Sequence, residues 1–453
     1  MAEQPRFLII LSDLHLSEGW DPDTGLLSRR EDFFFDTTLE RFLSKQAQFA
    51  ERTGCRFRLI FAGDLVDFQQ LMSTPGGKNG SYRASHRWGH CFSFGKDEKR
   101  RHRCLGLSTS PGHTVWKLEQ IFDGHRVFFK ALSDFLARGH ELVILPGNHD
   151  IEWIIPEVQE AFIKIVSSLT PDEPTQSVSR RIVFNPWFYY EPNLIYVEHG
   201  NQYDHLDSFD YLLCPFLPRG LIDLTAGCFF VRYLFNHVEF TWPFADNIKP
   251  PSRFILWALR QREGLRYVPE YLRFFNEICK KRRLPKGWKR KQGLHHDQCL
   301  EQLSSTTEIP LAILKKLKDF WELSALHNFG RWKLFRAFVR GTPSSRALEK
   351  KAYSIQKLLN VPYLVFGHTH EAHRKLFSRG ERRAEYFNSG TWTKVFTKSM
   401  EERLLKEESE FVYVQLDRDE RKIEFLRWRD DLNGGEPVLL FEEPGKKGAK
   451  KPC

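Results

Sequence analysis

The chain is predicted to be an α/β protein: strands and helices alternate along most of its length, and a long helical insertion breaks the rhythm. Two observations carry that expectation. Five short runs rich in Leu, Ile, Val, Phe and Tyr, at Phe7–Leu11, 57–61, 142–145, 194–197 and Tyr363–Phe366, are nearly continuous in apolar residues, the pattern of strands covered on both faces. Between them lie segments with helical spacing, residues 28–52 closed by Gly54 and residues 115–138 closed by Gly139. Strand, helix, strand, helix, strand is the βαβ pattern of an α/β domain. Near the C-terminus, residues 410–428 read as a hairpin turning at 417–421.

Two segments depart from this rhythm. Residues 69–113 are rich in Gly, Ser, His and Arg with little periodicity, which suggests a functional flap or a partly disordered insert rather than a plain connection. Residues 205–355 are mainly helical in pattern, rich in Phe and Trp, and contain the basic run KKRRLPKGWKRK at 280–291. The expected organisation is a core of residues 1–204 and 356–440 carrying the flap, a helical cap of 205–355, and a basic, disordered tail of 441–453.

Bulk properties narrow the function classes. With 453 residues, 41% hydrophobic and 28% charged, the chain has globular composition and enough apolar material for a large core. A formal net charge of +10 favours anionic partners, phosphorylated substrates, nucleic acid or acidic lipid, and does not choose among them. The basic run suggests peripheral membrane or anionic-lipid contact through the cap, and the motifs carry no strong nucleic-acid signal. Eight cysteines without a CxxC argue against a disulfide framework or a thiolate zinc site and fit a cytoplasmic setting. The flap residues His86, His90, Cys91, His102, Cys104 and His113 match no standard zinc spacing. The N-terminus enters a strand without a signal-peptide pattern, and the most apolar later stretch, 221–235, carries Asp223 and Arg232 and is short for a bilayer span.

The strand ends carry the chemistry. After the first strand comes SDLH, after the second GDLVD, after the third GNHD, after the fourth EHGNQYD and after the fifth GHTH. Each alone has an ordinary reading: Asp13-x-His15 as a cap beside a surface histidine, Gly63-Asp64 or Gly147-Asn148 as a turn. Together, five polar strand ends in order place Asp, Asn and His where the carboxyl ends of strands converge on one crevice. Two divalent metals about 3.5–4 Å apart need three to four ligands each and one ligand in common, for which a carboxylate is suited. Imidazole and amide oxygen complete shells appropriate to Mn, Fe or Zn.

This set of motifs resembles the calcineurin-like metallophosphoesterase family over residues 5–200 and 358–430. The resemblance implies a four-layer αββα sandwich with a dinuclear metal site at the strand ends, here bearing an inserted, mainly helical cap. It implies that Asp13, His15 and His370 hold one metal, that Asn148, His199 and His368 hold the other, and that Asp64 bridges them, with Mn2+ the leading candidate and Fe or Zn the alternatives. His149 matches the histidine that contacts the substrate phosphate and helps the leaving group depart, and Asp150 would orient its imidazole. Asp67 reads either as a supporting residue or as a cap, and Asn388, within EYFNSGTW, as a structural hydrogen-bonding residue.

Within the family, DLHLS and GHTH resemble the bacterial enzymes that cleave the pyrophosphate of UDP-2,3-diacylglucosamine, although those are shorter and carry Arg where this chain has His149. The protein serine/threonine phosphatases carry GNHE with an adjacent Arg, whereas Ile151 and Glu152 follow Asp150 here. The expectation is therefore a metal-dependent hydrolase of phosphate mono- or diesters. A pyrophosphohydrolase acting on a nucleotide-linked lipid is the alternative, and a DNA nuclease or a non-catalytic scaffold is further off. A scaffold is disfavoured because every ligand position is filled.

Overall fold

The computed structural model describes residues 4–21, 24–28, 30–75, 106–170, 174–236, 239, 287–324, 344–379, 382–393, 411–430 and 435–440. It is an α/β structure with two mixed β-sheets and, among the described residues, nine α-helices.

The first sheet begins with β1 (Phe7–Leu11), β2 (Phe57–Ala62), β3 (Glu141–Leu145) and β4 (Ile182–Phe184), all parallel. Its other half is antiparallel and comes from the C-terminus: β10 (Phe411–Asp417), β11 (Lys422–Arg429) and β12 (Glu436–Leu439), so β10 lies beside β1 and the strand order is β12-β11-β10-β1-β2-β3-β4. The second sheet has the order β5-β6-β7-β9-β8, from β5 (Phe188–Glu191), β6 (Ile195–Glu198), β7 (Tyr363–Phe366), β8 (Ala372–Arg379) and β9 (Arg382–Ser389). All five runs anticipated from the sequence are strands, and the C-terminal hairpin is β10–β11.

Alternation along the strands explains the layering. Leu8, Ile10, Ile60, Ala62, Val143 and Leu145 of the first sheet share one buried cluster with Ile195, Val197, Val365 and Phe387 of the second. The two sheets therefore face each other across this layer. The other face of β1–β3, through Ile9, Leu59, Phe61, Leu142 and Ile144, packs on helices. There α1 (Asp36–Thr53) turns Leu39, Phe42, Leu43, Ala47 and Ala50 inward and ends at Gly54 in the left-handed conformation. The outer face of the second sheet is covered by α9 (Ser345–Leu359), which buries Leu348, Ala352 and Ile355. Position 355, where the sequence placed the cap boundary, falls inside that helix.

Two expected helices are shorter or split. Residues 30–35 precede α1 without helical structure, where the buried Glu31 carboxylate accepts the N–H groups of Ser17, Gly19 and Phe33. The long helix expected over 115–138 is two helices, α2 (Pro111–Gly124) and α3 (Arg126–Ala137). The break follows from packing: a Cβ on Gly124 would lie 2.0 Å from the carbonyl oxygen of Glu18. Beside it the His125 imidazole sits between Asp36 at 3.0 Å and Glu31 at 3.2 Å.

The remaining described helices are α4 (Pro156–Ser168), α5 (Thr175–Ser179), α6 (Ala226–Phe230), α7 (Trp288–Thr307) and α8 (Leu311–Lys318). Of the expected cap, α6, a π-turn at Val231–Phe235, α7 and α8 are described; Leu300, Leu303, Leu314 and Leu317 join the main core. The basic run lies outside the described residues up to 286, and its end, with Trp288 edge-on to Tyr211, opens α7. Flap residues 76–105 and the tail also lie outside them. No described helix is long and apolar enough to cross a membrane.

Candidate metal site

The site is assembled by the loops that leave β1, β2, β3, β6 and β7. The parallel register pairs Leu11 with Phe61, which sets the next residues of both chains side by side. Backbone bonds then lace the two loops together: Asp13 N–H to Gly63 O, and Leu14 and His15 N–H to Asp64 O. Leu14, Leu16, Leu65 and Val66 are fully buried and anchor the intervening polar residues.

The backbone is strained where those polar residues stand. Nine described non-glycine residues have positive φ, and five of them are Asp13, His15, Asp64, His368 and His370. Such conformations cost about 1–3 kcal/mol each and persist only where the surroundings impose them. Two glycines clear the space between the loops. Gly63, at φ +88°, has no Cβ where one would meet His199 Nδ1 at 2.4 Å, and a Cβ on Gly147 would lie 2.1 Å from Asp64 Oδ1. Gly147 thus serves by allowing the close approach of the two loops.

One group of donors is formed by Asp13, His15 and His370: His370 Nε2 lies 3.2 Å from Asp13 Oδ1 and 3.1 Å from His15 Nε2. A second is formed around His199, whose Nε2 is 3.1 Å from Asp64 Oδ2 and 3.2 Å from Asn148 Oδ1. Asp64 Oδ2 is also 3.7 Å from His15 Nε2, so this carboxylate stands between the groups. Ligand atoms of Asp13, His15 and His370, and of Asp13, Asp64 and His199, lie within 4.8 Å of one another. These buried His/Asp groups could hold a metal ion, and their mix of carboxylate oxygen, amide oxygen and imidazole nitrogen suits a first-row divalent cation.

His199 is oriented by its other nitrogen, Nδ1, which lies 2.9 Å from the carbonyl of Ala62. Its neighbour Glu198 is buried beneath Trp187, Tyr196 and Tyr203, which all donate to it, and burial pushes its carboxyl up to about 7. Burial opposes charge throughout the site, and at Asp13, Asp64 and His199 the charged partners prevail. It pushes Asp13 and Asp64 up, but the charges of His370 and His199 on the first, and of His199 and His149 on the second, hold both below the usual carboxylate range. Burial pushes His199 down, and the Asp64 and Asp13 charges lift it to about 9.

His368 is brought into the site with its ring centroid 5.3 Å from that of His199, while its Nε2 lies 3.3 Å from Asp204 Oδ2. Burial pushes this imidazole down to about 4. Asp204 and its neighbour Asp207 were not singled out by sequence reasoning, although Asp204 ends the quoted EHGNQYD. Asn388 donates to the Gly367 carbonyl at 2.6 Å, the hydrogen-bonding place anticipated for it.

His149 stands at the rim: its side chain is 15% exposed, against 1% for His199. The carboxylate on its imidazole belongs to Asp67, 2.5 Å from Nδ1, and not to Asp150 as expected. Burial pushes the ring down, and the charges of Asp67 and Asp64 outweigh this and hold it well above its ordinary value. Asp150 points the other way and accepts backbone N–H groups from Gly147 at 2.7 Å and Leu65 at 2.8 Å, with Trp153 Nε1 at 2.9 Å. It ties the GNHD loop to the GDLVD loop. The swap has a simple cause: both carboxylates lie near the histidine, and only side-chain direction decides between them.

Of the flap residues considered for zinc, His113 is described and bonds Ser108 Oγ at 2.6 Å; the others lie outside the described residues. Cys55, Cys214, Cys228 and Cys299 are free thiols. No protein-family model matches the chain, and no curated protein matches it either.

Proposed function

We propose that the chain is a metal-dependent phosphoesterase of the calcineurin-like class, hydrolysing a phosphate mono- or diester at a dinuclear centre, with its core folded as the αββα sandwich of that class. The observation that supports this best is the coincidence of five left-handed Asp and His residues, Asp13, His15, Asp64, His368 and His370, with the strand ends, where Asp64 lies 3.7 Å from His15 and 3.1 Å from His199. Backbone outliers gathered at one site point towards function rather than packing.

In this reading Asp13, His15 and His370 would hold one divalent ion and Asn148, His199 and His368 the other, with Asp64 shared between them and Mn2+ the preferred metal. When bound, the pair supplies a water acidified to near-neutral pH and positive charge beside the phosphoryl oxygens. His149, with Nδ1 fixed by Asp67 at 2.5 Å, keeps its other ring nitrogen for the substrate. Held protonated, that Nε2–H binds a phosphate oxygen or delivers a proton to the departing oxygen, a contribution of about 10²–10⁴ in rate.

The test is hydrolysis of chromogenic phosphomonoesters, phosphodiesters and nucleotide-linked pyrophosphates by protein loaded with Mn2+, Fe2+ or Zn2+, with and without chelator. Asp64→Ala is expected to lose bound metal and activity together. His149→Ala is expected to keep its metal and lose turnover by about 10²–10⁴. Inactivity on the whole panel would refute the enzyme reading, and a His149→Ala protein that releases metal would refute the separation of roles.

A further inference from the structure

Three histidines of the site share a feature: an oxygen stands at one ring nitrogen. For His199 it is the Ala62 carbonyl, 2.9 Å from Nδ1, and for His149 the Asp67 carboxylate, 2.5 Å from Nδ1. For His368 it is the carboxylate of Asp204, 3.3 Å from Nε2. Asp204 has no exposed surface and is held from several sides. Its Oδ1 accepts the Leu206 N–H at 2.9 Å, its own N–H is bonded to Asn201 O at 3.0 Å, and its carbonyl accepts the Asp207 N–H at 3.0 Å. Asn201 closes the turn by donating its side-chain amide to Asp207 O at 2.8 Å.

We infer that Asp204 is a positioning residue, which sets the tautomer and the ring direction of His368 and so tunes the second of the two metal positions. The inference rests on the proposed dinuclear centre and goes beyond it. A histidine that binds a metal through one nitrogen almost always donates the other to a carboxylate or carbonyl. With Nε2–H directed at Asp204, Nδ1 is the nitrogen left to ligate. The carboxylate adds negative charge behind the ring and makes it a better donor. Asp207 also bears on His368 through its charge, while its Oδ1 accepts the Thr225 hydroxyl at 3.1 Å. Asp204, Asp207 and His368 also lie within 4.8 Å of one another, so an ion bound by this trio itself is the rival arrangement.

The experiment uses the full chain and Mn2+ alone. Ions per chain are counted by elemental analysis at controlled free Mn2+, and affinities are read by calorimetry, for the wild type, Asp204→Asn and Asp204→Glu. Asn keeps the volume and an oxygen but not the charge. The wild type is expected to bind two ions. Asp204→Asn should keep the first at wild-type affinity and bind the second about 10–100-fold more weakly. Asp204→Glu should recover part of the loss, and the unfolding midpoint of the metal-free Asn variant should match the wild type. Unchanged affinity for both ions would overturn the inference, as would equal weakening of both. A third ion in the wild type that vanishes in Asp204→Asn would make Asp204 a ligand and overturn it too. A wild type that takes up no Mn2+ would instead sink the metal reading beneath it.

Discussion

Asp150 gives the sharpest separation between a catalytic carboxylate and one that holds the site together. Both of its oxygens are spent on donors: Oδ1 on the N–H groups of Gly147 and Asp64, Oδ2 on those of Leu65 and Val66 and on the Trp153 indole. Burial and the charge of Asp64 push its carboxyl up to about 6, so it is ionised at pH 7.5. In Asp150→Ala the donors at 2.7, 2.8 and 2.9 Å lose their acceptor inside a closed interior. Each orphaned donor costs about 1–3 kcal/mol. Relief of the Asp150–Asp64 repulsion offsets part, which leaves roughly 3–5 kcal/mol of lost stability. Urea unfolding of metal-free protein at pH 7.5 measures it as a lower midpoint at unchanged slope. If Asp150→Ala unfolds within about 0.5 kcal/mol of the wild type and loses only turnover, the carboxylate is not the tie between the loops.

Asp67 should behave in the opposite way. Its Oδ1 accepts the N–H groups of Gln69 at 2.7 Å and Gln70 at 2.9 Å, which Asp67→Asn can still satisfy, while the charge beside His149 disappears. Turnover should fall about 10²–10⁴ with metal content intact; a fully active Asp67→Asn protein would remove this carboxylate from the chemistry. A third expectation concerns the hinge between α2 and α3. Burial pushes His125 down, yet the Glu31 charge and the Asp36 contact raise it to about 10, above the ordinary 6.5. The folded state therefore binds the extra proton, and its stabilisation is complete below pH 6.5 and lost as pH rises towards 10. Over that interval denaturation should show a slope of roughly 1.4 kcal/mol per pH unit that is missing in His125→Gln. Parallel curves for the two proteins would contradict it.

What could be read from the sequence is set by how local the causes are. β1, β2, β3, β6 and β7 are covered on both faces, so their apolar runs announce them. β8 and β9 (AHRKLFSR and RRAEYFNS) were passed over because their register is fixed across strands, for instance by Arg374 on Glu385 at 2.7 Å, and their charges read as loop. The split at His125 is invisible locally, since its causes are Glu18 and Glu31, about a hundred positions away. The same holds within the site. Asp13, His15, Asp64, Asn148, His199, His368 and His370 each follow a strand and so could be named, and the structure brings them together. The exchange of Asp150 for Asp67 depends on side-chain direction, and Asp204 meets His368 across 164 positions.

Backbone strain and buried charge make the same demand at this site. Five left-handed residues at about 1–3 kcal/mol each amount to a sum comparable with the 5–15 kcal/mol net stability of a typical domain. Beside them Asp13, Asp64, Asp67 and Asp150 are all within 1% of complete burial, in a space where like charges repel strongly. Packing alone would favour relaxing both, through Asn or Gly at the strained positions and apolar residues at the buried ones. The fold instead surrounds them with fully buried Leu14, Leu16, Leu65 and Val66 and with hydrogen bonds that cross from loop to loop. In the protein without metal, the protons on His149 and His199 are the positive charge that answers these carboxylates. A pair of divalent cations would supply that charge more fully, and would leave His149, the one of these two imidazoles at the rim, free to use its proton on a substrate.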